Sequence, residues 1–144
     1  MKNKIKINSS WNLWDYLYYR ITLYYSKTES SFGLEDNKRR GAYTVGLFLS
    51  LNVESIIMLL FVLFIQKTTF LIDYMGFVFV GLFLFIIFLS IYVYEKKRHN
   101  KIFSKYENEQ VYQKKSRGKI LVIYILFTIC LLCISVYLGR VFWK

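Results

Sequence analysis

Residues 43–65 read YTVGLFLSLNVESIIMLLFVLFI. These 23 residues contain no proline. As a helix rising about 1.5 Å per residue they cross the roughly 30 Å hydrocarbon core of a bilayer. One acid, Glu54, stands near the middle. An ionised group at that depth costs at least about 2.5–3.5 kcal/mol, so the chain has to offset it. Ala42, Gly46, Ser50 and Glu54 recur every four residues and form a gently drifting stripe along the helix. Small residues on such a stripe let a second helix approach closely, and Glu54 is expected to project into that contact. Asn52 points nearly the other way, with Ser55 as its neighbour one turn on. Two polar faces call for two partner helices, one in this chain and one in a second copy.

Two further apolar blocks follow, over about residues 70–94 and 120–142. All three blocks are apolar on every side, whereas a helix of a soluble domain buries one stripe. The fold class is therefore all-α: an integral membrane protein with three transmembrane helices. Gln66-Lys67-Thr68-Thr69 is a tight connection that makes the first two spans an antiparallel hairpin. In the second span, Gly81 falls at roughly the depth of Glu54. It leaves room there for a carboxyl side chain or, as the favoured reading, for close packing. Asp73 lies near the outer end of the second span and Arg140 near that of the third. The two are expected either to form an ion pair or to snorkel separately into headgroups. Thr128, Ser135 and Gly139 give the third span a small face suited to the first helix. Cys130 and Cys133 have redox spacing but lie mid-membrane, where thiolates are disfavoured; they read as reduced packing residues.

The charge distribution sets the orientation. The net charge is +11. Of 20 Lys and Arg, eight precede Tyr43, nine lie within residues 96–119, and three fall elsewhere. Positive residues favour the cytoplasmic side. The N-terminus and the 95–119 loop are placed inside, the 66–69 connection and the C-terminus outside, in an inner (cytoplasmic) membrane. Lys38, Arg39 and Arg40 before the first span, and Lys96, Lys97 and Arg98 after the second, are placed to bind anionic lipid headgroups. The basic loop carries no nucleic-acid-binding signature. Lys2, Lys4 and Lys6 precede no continuous apolar region or small-residue cleavage site, so the first span is expected to act as its own targeting signal. The Asn8-Ser9-Ser10 sequon is cytoplasmic on this topology.

Residues 1–42 form an N-terminal segment with an amphipathic helix over about residues 10–26, capped by Ser10. Trp11, Trp14, Tyr18, Ile21 and Tyr25 recur at helical spacing, widened by Leu13, Leu17 and Tyr24. Asn12, Asp15 and Arg20 make it too polar to span. Such a Trp- and Tyr-rich helix suits the headgroup boundary as an interfacial anchor. Residues 27–40 read as a connecting loop. Within residues 95–119 the second helix is expected to continue to about Tyr106, with Ser116-Arg117-Gly118 as the break. His99 stands without Cys, Asp or Glu at metal-ligand spacing and reads as solvated surface.

No phosphate-binding glycine loop, nucleophile elbow or zinc-protease helix is present. Glu54 and Asp73 lie at different depths and make a poor catalytic pair. The sequence points to no enzyme, cofactor or metal. The run Phe103-Ser104-Lys105-Tyr106-Glu107-Asn108-Glu109, the basic break after it, Ile120-Leu121-Val122-Ile123-Tyr124, and the opening Trp14-Asp15-Tyr16-Leu17-Tyr18-Tyr19-Arg20 resemble small multi-pass bacterial inner-membrane proteins of no assigned activity. The resemblance implies a bacterial multi-pass protein and brings no site residues with it. The favoured function is a membrane-embedded interaction protein, either a subunit of an envelope complex or an immunity or defence-type factor. Its partners are the lipid bilayer and a membrane protein or further copies of itself, and it acts by helix–helix contact. The alternative is a homo-oligomeric channel or proton-coupled transporter in which Glu54 and Asn52 line the pathway.

Overall fold

Without a proline to interrupt them, the apolar blocks fold as long helices that satisfy every interior backbone group within the segment. The computed structural model describes residues 11–28, 33–64 and 69–142, without the side chains of residues 34, 63–64, 69–73, 75 and 142. Helices α1 (Leu13–Thr28), α2 (Leu34–Phe64) and α3 (Thr69–Ile91) are followed by a π-helical segment, Tyr92–Arg98, then α4 (His99–Tyr106) and α5 (Val111–Phe142). Three of these helical stretches are long and apolar enough to cross a membrane by length and composition: Glu35–Val62, Gly76–Tyr106 and Val111–Val141. The chain is a helical protein with three such spans.

The helix ends follow local chemistry. Asn12 caps α1 by accepting the Trp14 N–H on Oδ1 at 3.0 Å; the expected cap, Ser10, lies outside the described residues. Asp15 in the first turn and Lys27 in the last suit the helix dipole. Glu35 and Asp36 do the same at the start of α2. That start comes earlier than the expected loop allows: residues 34–40 are helical, and α2 has 31 residues. At 1.5 Å per residue it is about 46 Å long, longer than the roughly 30 Å of a hydrocarbon core, and its early turns form a platform for α1. The second long helix continues through the π segment to Tyr106, as expected. The break then falls at residues 107–110, not at Ser116-Arg117-Gly118, which lie inside α5. Glu107 N–H to the Phe103 carbonyl and Glu109 N–H to the Tyr106 carbonyl shape the turn.

α2 is the central helix. In its apolar window 28% of residues are buried inside the molecule, against 11% in each of the other two spans. Gly46 allows α2 and α3 to touch: a Cβ there would lie 3.0 Å from Ile87 Cα and 3.1 Å from Ser90 Cβ. The contact joins early α2 to late α3, so the two run antiparallel. On the other flank, Gly139 packs on Met58, and Thr128 and Ser135 are buried with it. The small face of the third span therefore packs on the first, as read from the sequence. α3 and α5 each pack on α2 and form no comparable interface with each other among the described residues.

The aromatic core sits at one end, where α1, early α2, the π segment and α4 meet. Tyr16, Leu17, Tyr18, Tyr19, Ala42, Val45, Tyr94, Ile102 and Tyr106 are buried together. Tyr16 meets Tyr106 edge-on at 5.3 Å, Tyr19 meets Phe103 at 5.1 Å, and Tyr18 packs on Tyr94 at 5.2 Å between centroids. α1 crosses α2 at Gly41, where a Cβ would collide with Thr22 and lie 3.2 Å from Tyr18 Cε2. Five consecutive residues of α1, Asp15 to Tyr19, are buried. A helix resting one face on lipid buries every third or fourth residue; this one is enclosed by protein along its first half, because neighbouring helices supply aromatic partners on several sides. Tyr24, expected on the lipid-facing stripe, is 63% exposed.

Candidate functional site

The polar residues of α2 are distributed around its circumference. Six residues on from Gly46, Asn52 is turned about 120° from it and faces α5. Its Nδ2 donates to the Phe48 carbonyl at 2.9 Å and also contacts the Tyr124 hydroxyl. Ser50 is fully buried and donates to the Leu47 carbonyl at 2.9 Å. Both expected helix partners of α2 therefore lie in this chain: α3 on the Gly46 flank and α5 on the Asn52 flank. The second copy inferred from two polar faces is not needed to account for them.

Glu54 is turned about 80° from Gly46 and about 160° from Asn52, which puts it between the two flanks. Its Oε1 is buried and has no hydrogen-bond partner. Asn52 Oδ1 and Ser55 Oγ are also buried and unpartnered. Three unsatisfied polar atoms thus lie within one turn of the central helix, in apolar surroundings where such groups are costly. Gly81 does not meet this cluster. Nothing lies within 4 Å of a Cβ built on it; it is exposed on the outer face of α3. Depth can be counted from the helical rise, but the side of the helix a residue faces is set by packing, and Gly81 faces away from α2. Cys130 and Cys133 are likewise free and exposed, not packed within the chain. Arg140 is exposed, and the side chain of Asp73 lies outside the description, as does the proposed pair.

The basic residues expected at headgroups are partly engaged. Arg39 Nε donates to Glu95 Oε2 at 3.4 Å, and Arg98 Nη2 to the buried Asp15 Oδ2 at 3.1 Å. Arg40 lies over the Tyr25 ring at 5.5 Å and Lys97 over Tyr92 at 4.7 Å. Lys96 is exposed and Lys38 half-buried. Sequence reasoning missed the Asp15–Arg98 pair, because it placed the two residues in separate peripheral segments. It also missed Tyr124 as the partner of Asn52. A hydroxyl-bearing aromatic in an otherwise apolar span was the available signal.

His99 is not the solvated side chain its isolation suggested. Nδ1 lies 2.8 Å from the buried Tyr18 hydroxyl, and the ring packs on Phe103 at 4.4 Å. Burial, with Lys38 adding to it, holds the imidazole below its usual value of 6.5. Tyr16, which donates to Glu109 Oε2 at 3.2 Å, is raised to about 12, first by burial and then by the Glu109 carboxylate. A depressed histidine means that the unfolded chain binds more protons below about pH 6.5, so acid favours unfolding. The contribution is level above that value, falls as pH drops below it, and levels again beneath the folded pKa. The melting temperature is expected to decline across this window in the wild type, and the imidazole component of the decline to vanish in His99→Gln. An identical pH slope in both proteins would contradict the burial of His99. The sequence contains one histidine, which makes the assignment direct.

Fold and site together define the class: an all-helical protein with three helices able to span a membrane and an aromatic cap at one end. Comparison with protein-family models, curated proteins and solved structures finds no match. The molecular role therefore has to be argued from the chain itself.

Proposed function

We propose that this chain is a small interaction protein of the inner membrane. It acts by helix–helix contact with another membrane protein, as a subunit of an envelope complex or an immunity or defence-type factor. The observation that carries this reading is the unsatisfied turn of α2. The chain uses the flanks of its central helix on α3 and α5, yet leaves Glu54 Oε1, Asn52 Oδ1 and Ser55 Oγ without partners. Asn52 Oδ1 and Ser55 Oγ are closed in on the α5 side of the helix, whereas Glu54 is only half-buried, so an incoming helix that presents a hydrogen-bond donor beside it offsets the cost of Glu54. The placement of basic residues supports an N-terminus in the cytoplasm and a C-terminus outside. Tyr25, Arg39, Arg40, Tyr43, Thr44 and Ile91 line a recess of about 280 Å³. Its mix of apolar wall and cations suits a phospholipid at the membrane boundary, and α1 contributes Tyr25 to it from its more exposed second half.

A carboxyl with one buried, unpartnered oxygen also favours a second reading, a homo-oligomeric channel or proton-coupled transporter that uses Glu54. One substitution separates the two. As an interaction residue, Glu54→Gln keeps its shape and its acceptor oxygen, so assembly is expected to survive with little change. As a transport residue it has to titrate, so Glu54→Gln abolishes flux in reconstituted vesicles while assembly persists. Unchanged flux in that variant removes the transport reading.

A further inference from the structure

α4 lies between two departures from regular α-helix. The π-helical segment Tyr92–Arg98 precedes it and the turn at residues 107–110 follows it. Such irregular stretches are where a short element can swing against its neighbours. Among the described residues α4 packs chiefly on α1 and on the π segment, with Ile102 and Tyr106 buried. Arg117 of α5 lies over the Tyr106 ring, 5.6 Å from its centroid. The packing of α3 and α5 on α2 does not pass through α4. The Asp15–Arg98 pair, at 3.1 Å, ties the end of the π segment to α1 and holds the hinge end of α4 in place.

His99, the first residue of α4, makes the polar contact that closes it on α1: Nδ1 lies 2.8 Å from the hydroxyl of the fully buried Tyr18. The charged groups around the ring come from every side. α1 brings Asp15, whose Oδ2 accepts from Arg98. α2 brings Lys38, and Arg39, which donates to Glu95 of the π segment. α5 brings Arg117, held by Glu109, and α4 itself carries Lys101 and Lys105. Of these, Lys38 is the one that acts on the imidazole, and no carboxylate offsets it. A proton on the ring therefore places a charge beside a cation in a half-buried setting, where charge is costly. The Phe103 ring at 4.4 Å offsets part of that cost. An imidazolium also loses its acceptor nitrogen; the Tyr18 proton can turn to the Thr22 hydroxyl, so the hydrogen bond is replaceable and the burial of the charge is not. Lifting α4 from α1 is the smallest movement that brings His99 to water.

We propose that α4 is a lid on α1 latched at His99, and that protonation of His99 releases it while α2, α3 and α5 stay assembled. Release uncovers side chains that α1 and α4 bury in each other, among them Tyr16, Tyr19, Ile102 and Tyr106. The decline in melting temperature described above follows from any buried histidine; the local opening follows from where this one stands. One proton gained on opening raises the opening equilibrium by no more than about tenfold per pH unit. The lid therefore opens more often in mild acid and is not held open.

The test uses the full chain in a neutral detergent. Hydrogen exchange is followed by mass spectrometry from about pH 7.5 to about pH 5, each rate divided by the intrinsic rate at that pH. The ring titration is followed by NMR on the same samples; the sequence holds one histidine, so the signal needs no assignment. Protection over residues 99–106 is expected to fall several-fold in step with the ring titration. The α2 and α5 spans keep their protection, and His99→Gln shows no step. A ring that titrates while residues 99–106 keep their protection overturns the proposal. So does a step that persists in His99→Gln, or a loss of protection in all helices at once, which is global unfolding. Where His99→Gln does not fold, the wild type decides: coincident midpoints for the ring and for residues 99–106 support the latch, and separate midpoints overturn it.

Discussion

Gly46→Leu is expected to break the packing of α2 on α3. The opposing atom is backbone, Ile87 Cα, at 3.0 Å from where even a single Cβ would sit, with Ser90 Cβ at 3.1 Å. A backbone atom cannot rotate away, so the two helices must separate. Overpacking a fitted interface typically costs about 1–3 kcal/mol. Here the cost is expected at or above the top of that range, because a branched side chain meets two rigid neighbours. Gly46→Ala needs a shift of only a few tenths of an ångström and is expected to be far milder. Steric-trapping measurements of unfolding in detergent resolve the difference. A Gly46→Leu protein as stable as the wild type would show that α3 does not approach α2 at this point.

Tyr16→Ala is the second large effect. Tyr16 is fully buried, meets Tyr106 edge-on, and donates to Glu109 at 3.2 Å. Truncating a buried aromatic to alanine costs about 3–5 kcal/mol. Tyr16→Phe keeps the ring and loses the hydroxyl contacts. Glu109 retains Arg117, which donates to its Oε1 at 3.0 Å, so a cost of about 1 kcal/mol is expected. The comparison distinguishes two roles for α1. If it were a free interfacial helix, Tyr16→Ala would weaken membrane attachment and leave the stability of the bundle unchanged. If it is enclosed by protein, the alanine variant melts earlier and becomes sensitive to protease at the junction of α1 with α2.

The three long apolar helices were legible because they rest on length and apolarity, which a sequence states directly. The stripe Ala42, Gly46 and Ser50 and the small face Thr128, Ser135 and Gly139 were legible for a related reason: fixed helical spacing tells which residues share a side. What could not be read was which neighbour each side meets. Asn52 was assigned correctly to a second polar face, but its partner proved to be Tyr124 in the same chain. Gly81 has the right depth and the wrong azimuth. The aromatic stripe of α1 looked like a lipid-facing surface because Trp and Tyr suit both an interface and a packed cap. Only the burial of Tyr16 and Tyr19, outside that stripe, separates the two. Gly118 suggested a break, yet a glycine inside a helix costs only about 1 kcal/mol, and the polar run 107–110 took the turn instead.

The central claim is that the unsatisfied turn around Glu54 is a contact surface for another membrane protein. Purification in mild detergent followed by native mass spectrometry tests it most directly, with wild type, Glu54→Gln and Glu54→Leu compared side by side. The account predicts distinct membrane proteins at fixed stoichiometry with the wild type and Glu54→Gln, and their loss from Glu54→Leu. A homogeneous ring of identical chains, or a partner set that Glu54→Leu leaves unchanged, would contradict it.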